Sequence, residues 1–228
     1  MHKIRKLLNK IPIVKLWDNN VNKYMGNRTK RNSKFVYSDS FFFEGRQFNL
    51  FQHEINVGVF SERMTERAIE LALADDWLQN RFDVCEVGAV TPYYWPGRVK
   101  IIIDPYDSNT LVTDRVSLFE RSYIGLDVLS ISTIEHVGTG DYGLSPHESA
   151  IEALELIIKQ ARTFLLTIPL GYNKLLDAYC FMNQDKYKYC LSIYSRNTID
   201  NRWEKELSMS KEYQYGPKWA NAIAVFYK

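Results

Sequence analysis

At 228 residues, with 46% hydrophobic and 14% aromatic side chains, the chain can bury one substantial core, and one domain with short additions is expected. The formal charge is only +2, but residues 1–34 carry ten Lys or Arg against one Asp, leaving 19 basic against 26 acidic residues in the remainder. That acidic remainder argues against a nucleic-acid partner, and no run approaches the ~20 apolar residues of a membrane span.

Residues 1–39 are basic, asparagine-rich and poorly periodic. Residues 3–17 begin like a secretory signal, but Lys10, Pro12 and Lys15 interrupt the apolar stretch and no small-residue cleavage site follows, so no signal peptide is expected. The arm reads either as a solvated extension or as a weak contact for an anionic membrane surface or nucleic acid. Residues 41–60 mix aromatic and polar side chains without a clear period. Residues 1–60 are therefore expected to be an extension and cover segment, and 61–228 the main domain. Three cysteines, Cys85, Cys180 and Cys190, without Cys-x-x-C or a nearby His pair, fit a reducing cytoplasm and no zinc site.

The main domain opens with an expected amphipathic helix over 61–78, where Ile69, Ala72, Leu73 and Trp77 recur at helical spacing. Strands are predicted at 82–87, 98–103, 110–113, 126–131 and 163–168. A helix over 146–162 separates the last two, with Ser145 as cap, Pro146 at the first helical position and Glu148 completing a capping box. Two closing strands, 186–194 and 222–227, bring the count to seven, with a polar connection containing Trp203 between them. Near-continuous apolar strands alternating with helices imply an α/β fold with helices on both faces of a largely parallel sheet.

In such a sheet ligands occupy the crevice at the carboxyl ends of the strands, so the chemistry should lie just past each apolar run. Phe-Asp-Val-Cys-Glu-Val-Gly at 82–88 ends in Glu86 and Gly88, and sixteen residues after Gly88 the run Arg-Val-Lys-Ile-Ile-Ile-Asp closes on Asp104. A glycine at the first strand-to-loop corner with a carboxylate about 20 residues on is the pattern that holds an adenosine ribose. Gly-x-Gly-x-x-Gly is absent, because Ala89, Val90, Thr91 and Pro92 follow Gly88, and a dinucleotide is disfavoured. Past the other strands stand Asp114, then Ser132, Glu135 and His136, then Gly171, Tyr172 and Asn173.

These residues resemble the class I S-adenosylmethionine-dependent methyltransferases over about residue 56 to the carboxyl end. Glu-Val-Gly-Ala-Val-Thr-Pro-Tyr-Tyr looks like the first motif, Ile-Ile-Ile-Asp-Pro-Tyr-Asp the second, and Leu-Asp-Val-Leu-Ser-Ile-Ser-Thr-Ile-Glu-His-Val-Gly the fourth-strand motif. Thr-Phe-Leu-Leu-Thr-Ile-Pro-Leu-Gly-Tyr-Asn looks like the fifth strand and its loop. Within the family the chain is similar, on Glu66-Arg67-Ala68-Ile69-Glu70, Glu86-Val87-Gly88, residues 130–138 and residues 167–173, to small bacterial methyltransferase-like proteins implicated in modifying surface sugars. The resemblance implies a Rossmann-like seven-stranded sheet, mostly parallel with a reversed last strand, and S-adenosyl-L-methionine as cofactor. Ala89 stands where many relatives have a polar residue, and Val90 where the wider pattern has its second glycine.

On this reading Glu86, Gly88, Asp104, Asp114 and Ser132 hold the cofactor: Asp104 the ribose hydroxyls, Asp114 the adenine amino group. Glu135, Tyr172 and Asn173 line the acceptor side, and His136 is the candidate base, because histidine titrates near neutrality. Each has a plainer alternative. Glu86 can instead bind loop N–H groups, His136 can simply shape its loop, and Asp104 can be a strand-end turn carboxylate. Of the other histidines, His147 reads as a surface residue, and His53 reaches the crevice only if the cover segment folds over it. The expected function is metal-free cytoplasmic O-methylation of a small or carbohydrate acceptor. The rival is a catalytically silent module that keeps the sheet for binding or assembly, favoured by the missing second glycine.

Overall fold

A computed structural model describes residues 38–52, 65–140, 149–197, 200–206, 213 and 220–228. The basic arm, His53, the expected helix start at Ser61, and Ser145, Pro146, His147 and Glu148 lie outside the described residues. The architecture is α/β, Rossmann-like in the broad sense, with one seven-stranded mixed sheet and a separate hairpin.

The hairpin comes first. β1 (Ser40–Phe43) and β2 (Arg46–Asn49) pair antiparallel around Glu44 and Gly45, whose φ values of 46° and 78° make the two-residue turn that matches strand twist. Phe41 is buried and stacks on Phe48 at 5.5 Å. Arg46 holds the hairpin to the first helix through Asp76, at 2.7 Å.

That helix, α1 (Glu66–Leu78), is buried on most of its circumference: Ala68, Ile69, Leu71, Leu73, Ala74 and Leu78 are all enclosed. The sequence predicts an amphipathic helix with its charged residues largely off the apolar stripe. The hairpin shares a core with α1, and two of the helix's carboxylates, Glu66 and Glu70, are buried as well.

The main sheet has the order β4-β3-β5-β6-β9-β7-β8. β3 (Val84–Val87) pairs parallel with β4 (Ile101–Ile103) and β5 (Asp127–Ile131), and β5 with β6 (Thr163–Pro169). β9 (Ala222–Tyr227) runs antiparallel to both β6 and β7 (Leu191–Asn197), and β8 (Arg202–Lys205) closes the edge antiparallel to β7. Parallel pairing thus accounts for one half of the sheet and antiparallel pairing for the other.

Alternation along the strands sorts the interior into two cores. Phe164, Leu166 and Ile168 face α3 (Ala150–Gln160) and α4 (Lys174–Met182), while Leu165, Leu129 and Ile131 face α1 and the hairpin. The helix α3 starts at Ala150, capped by Ser149, whose hydroxyl accepts from the Glu152 N–H at 3.4 Å, rather than at residue 146. A bidentate bond from Arg162 to Asp127, at 2.9 and 2.8 Å, clamps the start of β6 to β5.

The expected strand at 110–113 does not form. Asp107 and Asn109 accept from the N–H groups of Asn109 and Leu111, at 2.6 and 3.0 Å, and this local bonding competes with a ladder. A single parallel bridge, Ile103 to Asp114, is what remains beside β4. The seventh strand is instead β8, where Trp203 is buried between exposed Arg202 and Glu204. β7 begins at Leu191, not 186, because residues 184–190 turn. No described helix is long and apolar enough to cross a membrane.

Candidate functional site

A cavity of about 750 Å³ opens where β3, β4 and β5 end, walled by Gly88, Asp104, Tyr93, Arg115, Ser132 and His136 among others. Its volume falls within the roughly 300–1,000 Å³ of small-molecule sites.

Gly88 follows β3 directly. Its φ of +85° is left-handed, and a Cβ there would lie 2.0 Å from Thr133 Oγ1, so two constraints select glycine. The loop beyond it spends its backbone donors internally. Gly88 N–H donates to Ile103 O at 2.9 Å and Ala89 N–H to Asp104 Oδ2 at 3.1 Å. Val90 and Thr91 N–H groups both donate to Glu86 Oε1, at 3.1 and 2.8 Å. Those donors are engaged, so the loop offers no ready anion cradle, and a diphosphate ligand does not fit here.

Glu86 therefore holds up the short helix α2 (Thr91–Tyr94), also accepting from the Thr91 hydroxyl, and does not line the cavity. It is fully buried, and burial pushes its carboxyl up to about 7 despite the three donors.

Asp104 stands at the cavity wall. Its Oδ1 accepts from Tyr106 and Asp107 N–H groups at 2.9 and 2.8 Å, and Oδ2 from Ala89. A carboxylate has about four lone-pair positions, so roughly one remains for a ligand hydroxyl rather than two. Asp114 is not at the cavity: its carboxylate faces Arg121 at 3.2 Å, while its neighbours Arg115, Val116 and Ser117 form the wall. Tyr93 donates to Asp107 at 2.9 Å and places an aromatic edge there.

The far wall comes from the loop after β5. Ser132 lines the cavity with φ +45°, uncommon outside glycine, and its hydroxyl donates to Glu70 Oε1 at 2.6 Å. His136 ends a single 3₁₀ turn, lines the cavity, packs its ring 4.5 Å from the Tyr172 ring and sets Nε2 3.7 Å from Glu135 Oε1. Asn173 caps α4 by accepting from Leu176 N–H at 3.1 Å, and its Nδ2 donates to Glu135 O at 3.1 Å. Asn173 thus joins two loops structurally, and neither it nor Glu135 lines the cavity. Burial holds the Glu135 carboxyl well above the usual range.

Sequence reasoning missed Arg67, Glu70, Thr133 and Thr167. Glu70 Oε1 accepts from Thr167 Oγ1 at 2.9 Å as well as from Ser132, so α1 is tied to the ends of both β5 and β6. All four fall within the motifs that carry the resemblance, Arg67 and Glu70 in the Glu66–Glu70 helix motif, but the sequence assigns them no role.

Comparisons of the chain with protein-family models, curated proteins and solved structures found no match. The cavity wall is of mixed chemistry. It combines one free carboxylate position at Asp104, a backbone corner that admits no side chain at Gly88, and apolar side chains at Val87, Ile103 and Leu118.

Proposed function

We propose that the protein is an S-adenosylmethionine-dependent methyltransferase acting on a hydroxyl of a small or carbohydrate acceptor. The observation that carries this reading is the junction of Gly88 and Asp104 across one hydrogen bond, Ala89 N–H to Asp104 Oδ2, at the mouth of the cavity. The strand order supports it too: β9, the last strand, lies between β6 and β7 and runs against both.

When bound, the cofactor supplies an electrophilic methyl group on a sulfonium. Asp104 takes a ribose hydroxyl, and Val87 and Gly88 form the cavity wall beside it. Transfer to an oxygen needs alignment of donor and acceptor and removal of one proton. His136 takes that proton, its ring packed on Tyr172 and its Nε2 3.7 Å from the Glu135 carboxyl.

One observation favours the rival, a silent binding module. Val90 occupies the second glycine position and its N–H is captured by Glu86, which narrows the loop. A thermal-shift titration with S-adenosylmethionine and S-adenosylhomocysteine, on wild type and Asp104→Ala, decides. Ligand at ~100 times its dissociation constant adds about 2.7 kcal/mol to the folded state. A saturable shift that Asp104→Ala loses supports the cofactor site; no shift at millimolar ligand sinks it. A shift without methyl transfer to any hydroxyl acceptor favours the silent module.

A further inference from the structure

The cavity opens at the carboxyl ends of β3, β4 and β5, and the opposite end of the sheet carries features that the chemistry above leaves unused. Val84, Asp127 and Thr163 lie side by side there, at the starts of β3, β5 and β6, and Ile101 starts β4 beside Cys85. β9 ends and β7 begins at the same end, since Lys228 N–H donates to Phe164 O at 3.0 Å and Tyr227 N–H to Cys190 O at 2.9 Å.

Three of the segments that enter these strands expose a large apolar side chain. Phe82, just before β3, is 79% exposed, Ile124, before β5, 74%, and Tyr189, before β7, 84%. Neighbouring strands lie about 4.8 Å apart, so Phe82 and Ile124 are adjacent while Tyr189, four strands from β3, is roughly 19 Å away. Single exposed apolar residues are ordinary on protein surfaces, but these three share one end with an excess of basic charge.

Arg81, Lys100, Arg162 and Lys188 stand within three residues of the same strand starts, against Asp83 and the Asp127 that Arg162 already binds. Lys188 Nζ lies 4.8 Å over the Tyr189 ring, so cation and apolar tip are presented together. The cavity end has the reverse sign. Asp104, Asp107 and Glu120 line it with Arg115, whose guanidinium is engaged by the Asp107 and Asn109 carbonyls.

Different occupants would use this end differently. A nucleic acid would take the cations and leave Phe82 and Ile124 in water. An acidic protein could match the charge but would need one rigid surface shaped to tips on three separate loops. An anionic bilayer meets both demands, because fluid lipid has no fixed shape, apolar tips enter the headgroup boundary, and Lys and Arg remain among the headgroups.

We propose that this amino-end face of the sheet docks the protein on an anionic lipid surface, with Phe82, Ile124 and Tyr189 entering the boundary and Arg81, Lys100 and Lys188 on the headgroups. Docking in this way turns the cavity, at the other end, away from the bilayer, so its ligands enter from the aqueous side. The contact uses no residue of the cavity and does not depend on the function proposed above.

The test is co-sedimentation of the full chain with vesicles of phosphatidylcholine alone and of phosphatidylcholine mixed with phosphatidylglycerol. It is run on wild type, on Phe82→Ser/Ile124→Ser/Tyr189→Ser, on Lys100→Glu/Lys188→Glu, and on Phe42→Ser, which removes a 62% exposed ring from the hairpin instead. All these side chains are exposed, so thermal unfolding of the free variants should match wild type. The expected result is that wild type binds the mixed vesicles at least about tenfold more tightly than the neutral ones. Each multiple variant should lose at least about tenfold of that affinity, and Phe42→Ser should keep it. Failure of wild type to bind mixed vesicles overturns the docking, as does equal binding to neutral and mixed vesicles. Binding that both multiple variants retain overturns it too, by assigning the contact to another segment such as the basic residues 1–34. If wild type ignores vesicles but self-associates in sedimentation equilibrium, and the triple variant does not, the face joins two copies of the chain and the proposal falls.

Discussion

Gly88 and Thr133 come so close that a single added carbon at position 88 would sit 2.0 Å from the threonine hydroxyl oxygen and 2.8 Å from its Cβ. The contact joins the loop after β3 to the loop after β5, the two walls of the cavity. A glycine read from sequence as a place for a ligand to approach is therefore also a place where the protein approaches itself.

Gly88→Ala should destabilise the fold by about 3 kcal/mol or more, combining left-handed strain with overpacking. Thr133→Ala, which removes the two nearest clashing atoms, should recover part of that loss in the double variant. Gly45 provides the contrast: its φ is +78°, but nothing lies within 4 Å of a Cβ there, so Gly45→Ala should cost only about 1–2 kcal/mol. Urea denaturation of the four variants checks this. Equal costs at positions 45 and 88, or no recovery in the double variant, would contradict the contact.

The legibility of this chain follows the same division between apolar pattern and local polar bonding. β3, β5, β6 and β9 are enclosed on both faces, so their apolar runs could be read directly. The strand expected at 110–113 has the right residue types, but Asp107 and Asn109 capture the backbone first. β8 was hidden because an edge strand with one buried residue, Trp203, reads as a polar connection, and α4 because its apolar Leu175 and Met182 face outward. Gly88, Asp104, Ser132 and His136 follow apolar strands and line the cavity, where the crevice rule places such residues. Glu86 was assigned to the ligand because its position was legible and its hydrogen bonds were not. Arg67 and Glu70 carry no role in the sequence pattern, because nothing there says that the hairpin and sheet enclose α1 from both sides.

Two buried carboxyls make stability fall as pH rises through neutrality. Burial raises Glu66 and Glu86 to about 7 from an ordinary 4.5. Between those values the folded chain keeps protons that the unfolded chain has released, so the unfolded state is favoured by each step upward in pH. The contribution is complete below about pH 4.5 and gone above about pH 7. Unfolding free energy measured by urea at intervals from pH 5 to pH 8 should decline, and Glu86→Gln, which keeps an acceptor for the Val90 and Thr91 N–H groups, should flatten the slope. A rising curve, or an unchanged slope in the variant, would show that Glu86 is ionised throughout.

Asp127 works in the opposite sense and in a different window. The bidentate Arg162 bond is the main cause that holds its carboxyl below the ordinary 3.8, with Thr163 adding a hydroxyl at 2.7 Å. This stability is present above pH 4 and is lost as pH falls through the lowered value. Asp127→Ala should cost about 2 kcal/mol at pH 7, the loss of charge-assisted bonds at a nearly enclosed site, and much less at pH 3. The pH dependence separates this from a packing defect, which would cost the same at both.

His136 is the point at which fold and chemistry can be separated by experiment. Its ring lines the cavity, packs on Tyr172 at 4.5 Å and faces Glu135 at 3.7 Å, so a substitution can act on shape or on proton transfer. His136→Gln retains a polar side chain of similar reach but has no group that titrates near neutrality. If His136 takes the acceptor proton, this variant should bind S-adenosylhomocysteine within about a factor of two of wild type, since the base acts only in the transition state. Its methyl transfer, to whichever hydroxyl acceptor wild type uses, should drop about 10²–10⁴-fold and lose the acid limb of its pH profile. A variant that loses ligand affinity and activity together, with the pH profile unchanged, would assign His136 to shaping the cavity wall and leave the base to be found elsewhere.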